Sequence, residues 1–370
     1  MSSTPLSLRN LPTGARVGVF IPNWVGDACM ATPALRTLHA NLPIGGQLIA
    51  IGRNVPLRTL ETLPYFAQTI SYKPRGRQPN MGRRSLAWSL RRNRLDLAIL
   101  FTNSLSTAAM SFIGGAKRRI GYARDGRSLM LTHPIAVERD GAKEQCVPAV
   151  DYYLKIAEAL NCGTDNRRME LVISADDEIR KRQFLKTANW NEDARYILIN
   201  SGGAFGQSKV WPENHVATLA QRLIENTDRN VVLHCGPAER ASTNAVADRL
   251  QHPRIVSMGQ TAEIPMGLSR GLIGGADVVV STDSGPRHMA VALDRQVVSI
   301  FGPTQAEWTQ TYNRPEALLQ VSMDCRPCYQ RDCPLGHHHC MHQITVDRVL
   351  SETLIALENA TQSDAAQQAA

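Results

Sequence analysis

The chain has 370 residues, 43% hydrophobic and 20% charged, which excludes a lone small domain and a largely unfolded chain. At ~100–200 residues per domain, that length predicts two domains. The 41 Lys+Arg against 33 Asp+Glu give a net +8, unevenly spread: residues 1–170 hold 23 basic and 11 acidic residues (net +12), residues 171–370 hold 18 and 22 (net −4). A uniformly basic protein is thereby excluded, and only the first half is built for an anionic partner: nucleic acid, an anionic membrane or an acidic substrate. No stretch reaches the ~18 consecutive apolar residues of a membrane span. The first twenty residues lack a basic start followed by a long apolar run. These features predict a cytoplasmic chain whose eight Cys act as thiols or metal ligands rather than as a disulfide framework.

In chain order, Arg16–Ile21 reads as a strand, followed by a loop and a helix toward Ala40. Gln47–Ile51 and Leu95–Phe101 read as further strands. Asp151–Leu160 reads as a helix stopped by Asn161-Cys162-Gly163. A polar passage follows, and the alternation then resumes. Tyr196–Asn200, Asn230–His234, Arg254–Ser257, Ala276–Ser281 and Gln296–Phe301 read as strands, with helices such as Asn214–Glu225 and Arg240–Leu250 between them. Near-continuous apolar strands between helices predict parallel sheets covered on both faces. The expectation is an α/β chain of two doubly wound domains, 1–170 and 171–344. A helix over 345–359 and a frayed polar tail over 360–370 complete it.

Open parallel sheets bind ligands beyond the carboxyl ends of their strands, so the loops there carry the candidate chemistry. After the first strand comes Trp24-Val25-Gly26-Asp27. Asp27 either caps a helix or presents a carboxylate to a substrate. Pro33 leaves two starts for that helix, at Thr32-Pro33 or near Asp27 with a bend. After Tyr196–Asn200 comes Ser201-Gly202-Gly203-Ala204-Phe205-Gly206-Gln207-Ser208-Lys209. Its glycines let backbone N–H groups approach an anion, and Lys209 is a point charge suited to phosphate, against the plain alternative of a solvated surface lysine. Glu239, after His234-Cys235-Gly236-Pro237, caps a helix or accepts from ribose hydroxyls. Ser281-Thr282-Asp283-Ser284-Gly285-Pro286-Arg287-His288 follows a strand and opens a helix. Ser284 and Gly285 then sit at the positive helix end, a site for phosphate. Asp283 is an N-cap or a partner for substrate hydroxyls or Lys209. His288 donates to a phosphate or is an ordinary helix histidine. Neither G-x-x-x-x-G-K-[ST] nor a G-x-G-x-x-G after the first strand is present, which argues against a P-loop NTPase and a standard dinucleotide-dependent dehydrogenase.

Two clusters stand apart. Lys73, Arg75, Arg77, Arg83, Arg84, Arg91, Arg92 and Arg94 run without an acidic residue among them, and Lys117, Arg118 and Arg119 follow. They form a solvated surface or a dock for an anionic acceptor or membrane; the low aromatic content, 5%, argues against nucleic acid. Cys325-x₂-Cys328-x₄-Cys333-x₆-Cys340, with four His inside or beside it, is either a metal site or a structural loop of free or reversibly oxidised thiols.

Together these blocks resemble the ADP-heptose:lipopolysaccharide heptosyltransferases of glycosyltransferase family 9, most of all the heptosyltransferase II branch. The resemblance rests on Trp24–Asp27 with Thr32–Leu35, on Gly202–Pro212, on Thr282–Ala290 with Gly302-Pro303-Thr304, and on the Cys segment. It implies a GT-B fold of two Rossmann-like domains facing a central cleft, with the last helix crossing back to the N-terminal domain. It also implies a metal-independent, inverting transfer of heptose from ADP-heptose to the lipopolysaccharide inner core, on an acceptor of the lipid A–core type. By this resemblance Asp27 is the general base, and Lys209 holds the donor phosphates. Ser201, Gly202, Glu239, Ile264, Asp283, Ser284, Gly285 and His288 belong to the donor site, Ile264 against the adenine. If the basic cluster is a dock rather than a solvated surface, Arg75, Arg77, Arg83, Arg84, Arg118 and Arg119 would face such an anionic acceptor at the inner membrane surface. Pro286-Arg287 departs from the commoner motif, and Arg287 either adds a phosphate contact or points outward. A relative using another nucleotide sugar or acceptor, and a non-catalytic module binding nucleotides or anionic glycans, are the competing readings.

Overall fold

A computed structural model of the chain describes residues 6–73, 82–140, 143–144, 146–163 and 166–368. The chain divides into two compact units, Met1–Met169 with Glu307–Gln310, and Glu170–Ala306 with Thr311–Ala370.

In chain order the first unit contains β1 (Arg16–Phe20), α1 (Val25–Met30), α2 (Thr32–Ala40), β2 (Gln47–Gly52), α3 (Asn54–Leu60), β3 (Phe66–Ser71) and α4 (Arg83–Asn93). It continues with β4 (Leu97–Leu100), α5 (Leu105–Ile113), β5 (Arg118–Tyr122), β6 (His133–Ile135), the short pair β7 (Arg139–Asp140) and β8 (Lys143–Glu144), and α6 (Ala149–Glu158). The second unit contains α7 (Ala175–Thr187), β9 (Tyr196–Asn200), α8 (Glu213–Asn226), β10 (Asn230–Leu233), α9 (Arg240–Leu250), β11 (Ile255–Ser257) and α10 (Met266–Gly275). It closes with β12 (Val278–Thr282), α11 (Gly285–Ala292), β13 (Gln296–Phe301), β14 (Ala317–Gln320), α12 (His339–His342) and α13 (Val346–Gln368).

Each unit carries one six-stranded sheet, in the orders β3-β2-β1-β4-β5-β6 and β11-β10-β9-β12-β13-β14. All pairings within these two sheets are parallel. The central strands β4, β9 and β12 are buried along their whole length, as continuous apolar runs covered on both faces require. In both sheets the strand order reverses at the centre, between β1 and β4 and between β9 and β12. The loops beyond those carboxyl ends diverge there and leave room for a ligand.

Three details differ from the sequence expectations. The segment after β1 folds as two helices: α1 contains Asp27, the chain breaks at Ala31, and Pro33 opens α2, where its fixed φ and missing N–H cost nothing. Asp27 is therefore no cap; Trp24 holds that position. The final helix runs from Val346 to Gln368, through most of the stretch read as a tail; the Ala- and Gln-rich sequence favours helix. By its contacts α13 belongs to the second unit. Val349, Leu350 and Ala356 join the core that Ile197, Val280 and Val298 form in the second sheet. Trp211, fully buried, ties α13's approach to that core by donating from Nε1 to the Ile344 carbonyl at 3.0 Å.

Candidate active site

In the first unit Asp27 lies in the first turn of α1, where its charge complements the helix dipole. The buried Tyr153 of α6 donates from its hydroxyl to Asp27 Oδ1 at 3.1 Å. Burial, then the neighbouring Asp27 charge, push the Tyr153 phenol well above its ordinary range, so it stays a donor. Phe101 and Tyr152 pack on the Tyr153 ring at 5.2 and 5.6 Å between centroids and fix it. Tyr152 in turn donates to Asn103 Oδ1 at 2.9 Å, in the loop after β4. Nothing in the motif around Asp27 announced Tyr153. It is one of two tyrosines on an amphipathic helix, and only packing selects which one meets the carboxylate.

In the second unit the loops after β9 and β12 come together. Lys209, buried, is bonded through Nζ to Asp283 Oδ2 at 2.5 Å and to the Asp283 carbonyl at 2.9 Å. Thr304 donates to Asp283 Oδ2 at 2.7 Å, and the Lys209 ammonium lies 4.6 Å from the centre of the Phe205 ring. Burial alone would raise the Asp283 carboxyl. His288, Lys209 and Arg287 outweigh it and hold the group well below the usual carboxylate range. Asp283 is thus a partner for Lys209, and the N-cap of α11 is Ser284.

Ser284 makes no capping bond. Its hydroxyl donates to the Thr282 carbonyl at 3.1 Å and accepts from Asn200 Nδ2 at 3.0 Å. A helix N-terminus with no side chain closing it presents backbone N–H groups and a positive dipole end to an anion. His288, on the first turn of α11, is buried, and its Nδ1 has no protein partner. Burial holds the ring neutral, partly opposed by Asp283. An orphaned buried nitrogen costs about 1–3 kcal/mol, which a ligand atom could recover.

Arg287 does not point outward. It is buried, with Nε and Nη2 bonded to the Glu316 carboxylate at 2.6 and 2.9 Å and its guanidinium 4.8 Å from the Phe301 ring centre. The departure from the commoner motif is thus matched by a bidentate acidic partner within the same unit.

The glycines explain how the loops approach. Gly206 has φ +154°, and a Cβ there would meet the Arg331 carbonyl at 2.4 Å; at Gly203 a Cβ would meet Ser284 Cβ at 2.9 Å. Asn200, at the end of β9, donates to the Gly202 carbonyl at 2.9 Å and bonds His234 Nδ1 at 3.0 Å. Burial lowers the His234 pKa to about 4, so the ring is neutral. Glu239 is the N-cap residue of α9, but its side chain does not cap. Its Oε2 accepts from the Gly236 N–H at 2.7 Å. Ser201, Gly202, Gln207, His234 and Glu239 help line one cavity of about 320 Å³. Ile264 lies half-buried just before Pro265, the N-cap of α10.

Among the described residues, no three or more His, Cys, Asp or Glu side chains are arranged to hold a metal, so the metal reading of the cysteine segment finds no support. Cys325, Cys328, Cys333 and Cys340 are free thiols. The segment instead buttresses the loops after β9 and β13. Ser208 donates from N to the Arg331 carbonyl at 2.9 Å and from Oγ to the Gln330 carbonyl at 2.5 Å. Arg326 bonds the carbonyls of Gly302 and Thr304, and Tyr329 N donates to the Pro303 carbonyl at 3.0 Å. Of the basic residues singled out in the sequence, Arg83 and Arg84 open α4 and are exposed, and Arg118 and Arg119 lie half-buried on β5. Arg75 and Arg77 lie outside the described residues.

Comparison with solved structures gives the class first. The fold matches that of the Escherichia coli ADP-heptose lipopolysaccharide heptosyltransferase II (TM-score 0.74, 23% identity, 93% of this chain and 99% of that one). It also matches E. coli heptosyltransferase WaaC with ADP (TM-score 0.68, 18% identity, 94% and 99%). Two α/β units with parallel six-stranded sheets are thus the GT-B architecture of these transferases. Residues 83–339 match the model of glycosyltransferase family 9 (heptosyltransferase), and the chain belongs to that family. Curated relatives agree. It is 24% identical over 347 residues to lipooligosaccharide heptosyltransferase 2 of Campylobacter jejuni, covering 93% of this chain and 99% of the relative. It is 26% identical over 345 residues to lipopolysaccharide heptosyltransferase 2 of E. coli K12, covering 91% and 97%. At family level it is a heptosyltransferase of lipopolysaccharide core biosynthesis. Among the described residues no helix is long and apolar enough to cross a membrane.

Proposed function

We propose that this enzyme transfers L-glycero-D-manno-heptose from ADP-heptose, with inversion, to the inner core of a lipid A–core acceptor. The observation that carries the donor half is the buried Lys209–Asp283 pair beside the α11 N-terminus that no side chain caps. A diphosphate brought there meets Lys209 and the N–H groups at Ser284 and Gly285, and an acceptor atom from it would satisfy His288. Ser201, Gly202 and Glu239 hold the ribose end, and Ile264 lies against the adenine. Asp283 keeps Lys209 in place and neutralises it before the donor arrives.

Asp27 acts as the base. It takes the proton from an acceptor hydroxyl while that oxygen attacks the anomeric carbon. The bond from that carbon to the diphosphate oxygen breaks, and its electron pair leaves with ADP. Lys209 and the α11 N-terminus stabilise the growing charge. Tyr153, bonded to one Asp27 oxygen, aims the other. The first unit thus contributes the base and the arginines that meet an anionic acceptor, and the second contributes the donor site.

The test is ADP release with candidate nucleotide-heptoses and a deacylated core acceptor. Release with ADP-heptose supports the reading. Release only with a different nucleotide sugar redirects it within the family, and binding without turnover points to a non-catalytic module. Asp27→Ala lowers turnover by ~10²–10⁴-fold with donor affinity retained, as removal of a positioned base does. Unchanged turnover would remove Asp27 from that role.

A further inference from the structure

Outside the reaction residues, the strongest unabsorbed feature is one surface of the first unit. Trp88 on α4 is 61% exposed, Phe112 and Ile113 at the end of α5 are 56% and 45% exposed, and Leu129 is 97% exposed. Large apolar side chains standing singly in water are ordinary; several on one connected surface are not. These are connected through arginines. The Arg92 guanidinium lies 4.5 Å over the Trp88 ring, and the Arg119 guanidinium 5.1 Å over the Phe112 ring. Arg91, one position from Arg92, donates to the Ile113 carbonyl at 3.0 Å, and Arg119 donates to the Met130 carbonyl, next to Leu129, at 2.6 Å. Leu86 and Leu90 take the opposite side of α4 into the core, so Trp88 cannot be turned inward without unpacking the helix.

The charge on this surface is mostly basic, with the exposed Asp125 four positions before Leu129. Between Glu61 and Asp125 the only carboxylate in the sequence is Asp96. Asp96 is already bonded to Lys117 at 2.8 Å and to the Arg16 N–H at 2.9 Å. Arg84, Arg91 and Arg92 on the Trp88 side of α4, and the exposed Arg83 at its start, therefore have no local countercharge in sequence. A surface that pairs tryptophan and aliphatic side chains with arginine fits the boundary between lipid headgroups and acyl chains. There the apolar tips leave water while the guanidinium groups stay with phosphates. Nucleic acid would satisfy the arginines and could stack on Trp88, but it offers nothing to Ile113 or Leu129.

We propose that α4, the end of α5 and the Leu129 turn form a docking face for an anionic phospholipid bilayer, with Trp88, Phe112, Ile113 and Leu129 entering the headgroup boundary. This deepens the reading of a membrane-embedded acceptor, yet it is testable without any catalysis. The full chain is titrated with vesicles of phosphatidylcholine alone and of phosphatidylcholine with an equal part of phosphatidylglycerol. The expected result is binding to the anionic vesicles alone, weakened by salt. Arg84→Gln and Arg92→Gln should each lower the affinity about fivefold, the value of one basic residue near an anionic surface. Brominated lipid should quench part of the tryptophan emission in wild type, and that part should be missing in Trp88→Phe. Trp88→Ser with Leu129→Ser should lose vesicle binding and transfer to a vesicle-borne acceptor, while keeping the wild-type melting temperature and transfer to a deacylated soluble acceptor. Equal binding to neutral and anionic vesicles at every salt concentration would overturn the proposal. So would unquenched Trp88, or vesicle binding unaffected by the double substitution. An oligonucleotide bound in preference to anionic vesicles would assign the face to nucleic acid instead. Failure of these tests with soluble-acceptor transfer intact would leave the heptosyltransferase reading standing.

Discussion

The two units repeat one topology and do opposite things with it. After the third-placed strand of each sheet comes the first candidate loop: Asp27 after β1, the glycine-rich turn to Lys209 after β9. After its neighbour comes a helix with serine at the N-cap: Ser104 before α5, Ser284 before α11. Ser104 caps its helix, accepting from the Thr107 N–H at 3.3 Å; Ser284 does not cap. The same position is therefore closed in the first unit and open to an anion in the second. Buried cations differ in the same sense. In the first unit Arg127 is satisfied by the carbonyls of Tyr122 and Thr102 and by Asn103 Oδ1. In the second, Lys209 and Arg287 have the carboxylates of Asp283 and Glu316. Strand order sets where a ligand can bind; the side chains at two loop positions set which ligand it is.

Breaking that contrast is most costly at the buried pair. Lys209→Met leaves Asp283 short of its main cation and should destabilise the second unit by about 3–5 kcal/mol in denaturant melts, with donor binding lost. Lys209→Met with Asp283→Asn should recover most of the stability and none of the donor affinity. Recovered affinity would show that the pair serves only folding.

His234 comes next. Its folded pKa of about 4 lies below the ordinary 6.5, so the unfolded chain takes up its proton first. The stability it contributes is complete above pH 6.5 and is lost as the pH falls toward 4, by at most about 3 kcal/mol. His234→Gln should flatten stability across that window in urea titrations; an unchanged slope would contradict a neutral buried ring.

Smaller effects sharpen the two loops. Tyr153→Phe takes one donor from the Asp27 carboxylate, which disfavours its charged form. The acid limb of the kcat/KM profile should move to higher pH, with turnover at neutral pH reduced only several-fold and donor affinity unchanged. A uniform loss at all pH values would make Tyr153 merely structural. Ser104→Ala should cost about 1 kcal/mol of stability, the usual value of a lost cap, whereas Ser284→Ala should weaken donor binding more than it loosens its helix.

Much of this was legible from local pattern. Strands β9 and β13 have the bounds read from the sequence, because both are continuous apolar runs in the covered interior of the sheet. The strands without such a run went unseen: β3 and β6 are edge strands largely open to water, β5 begins Arg118-Arg119, and β6 contains Pro134. Asp27, Lys209 and Asp283 stood out because carboxylates and a lysine next to glycines after apolar strands are conspicuous. Tyr153 and Glu316 did not, since they lie 126 and 29 positions from the partners they bond.

By itself, then, the order of residues determined that this is a two-domain α/β chain with a basic first half, and which loops bear charge. That information is local, in the period of apolar residues and in the turns between them. Only the tertiary structure decided that Asp283 holds Lys209 rather than caps a helix, that Arg287 is spent on Glu316, that Tyr153 is bonded to Asp27, and that Trp88 is left outside among arginines. Those outcomes depend on which distant segments the fold brings within hydrogen-bond reach, and no spacing along the chain encodes a distance across it.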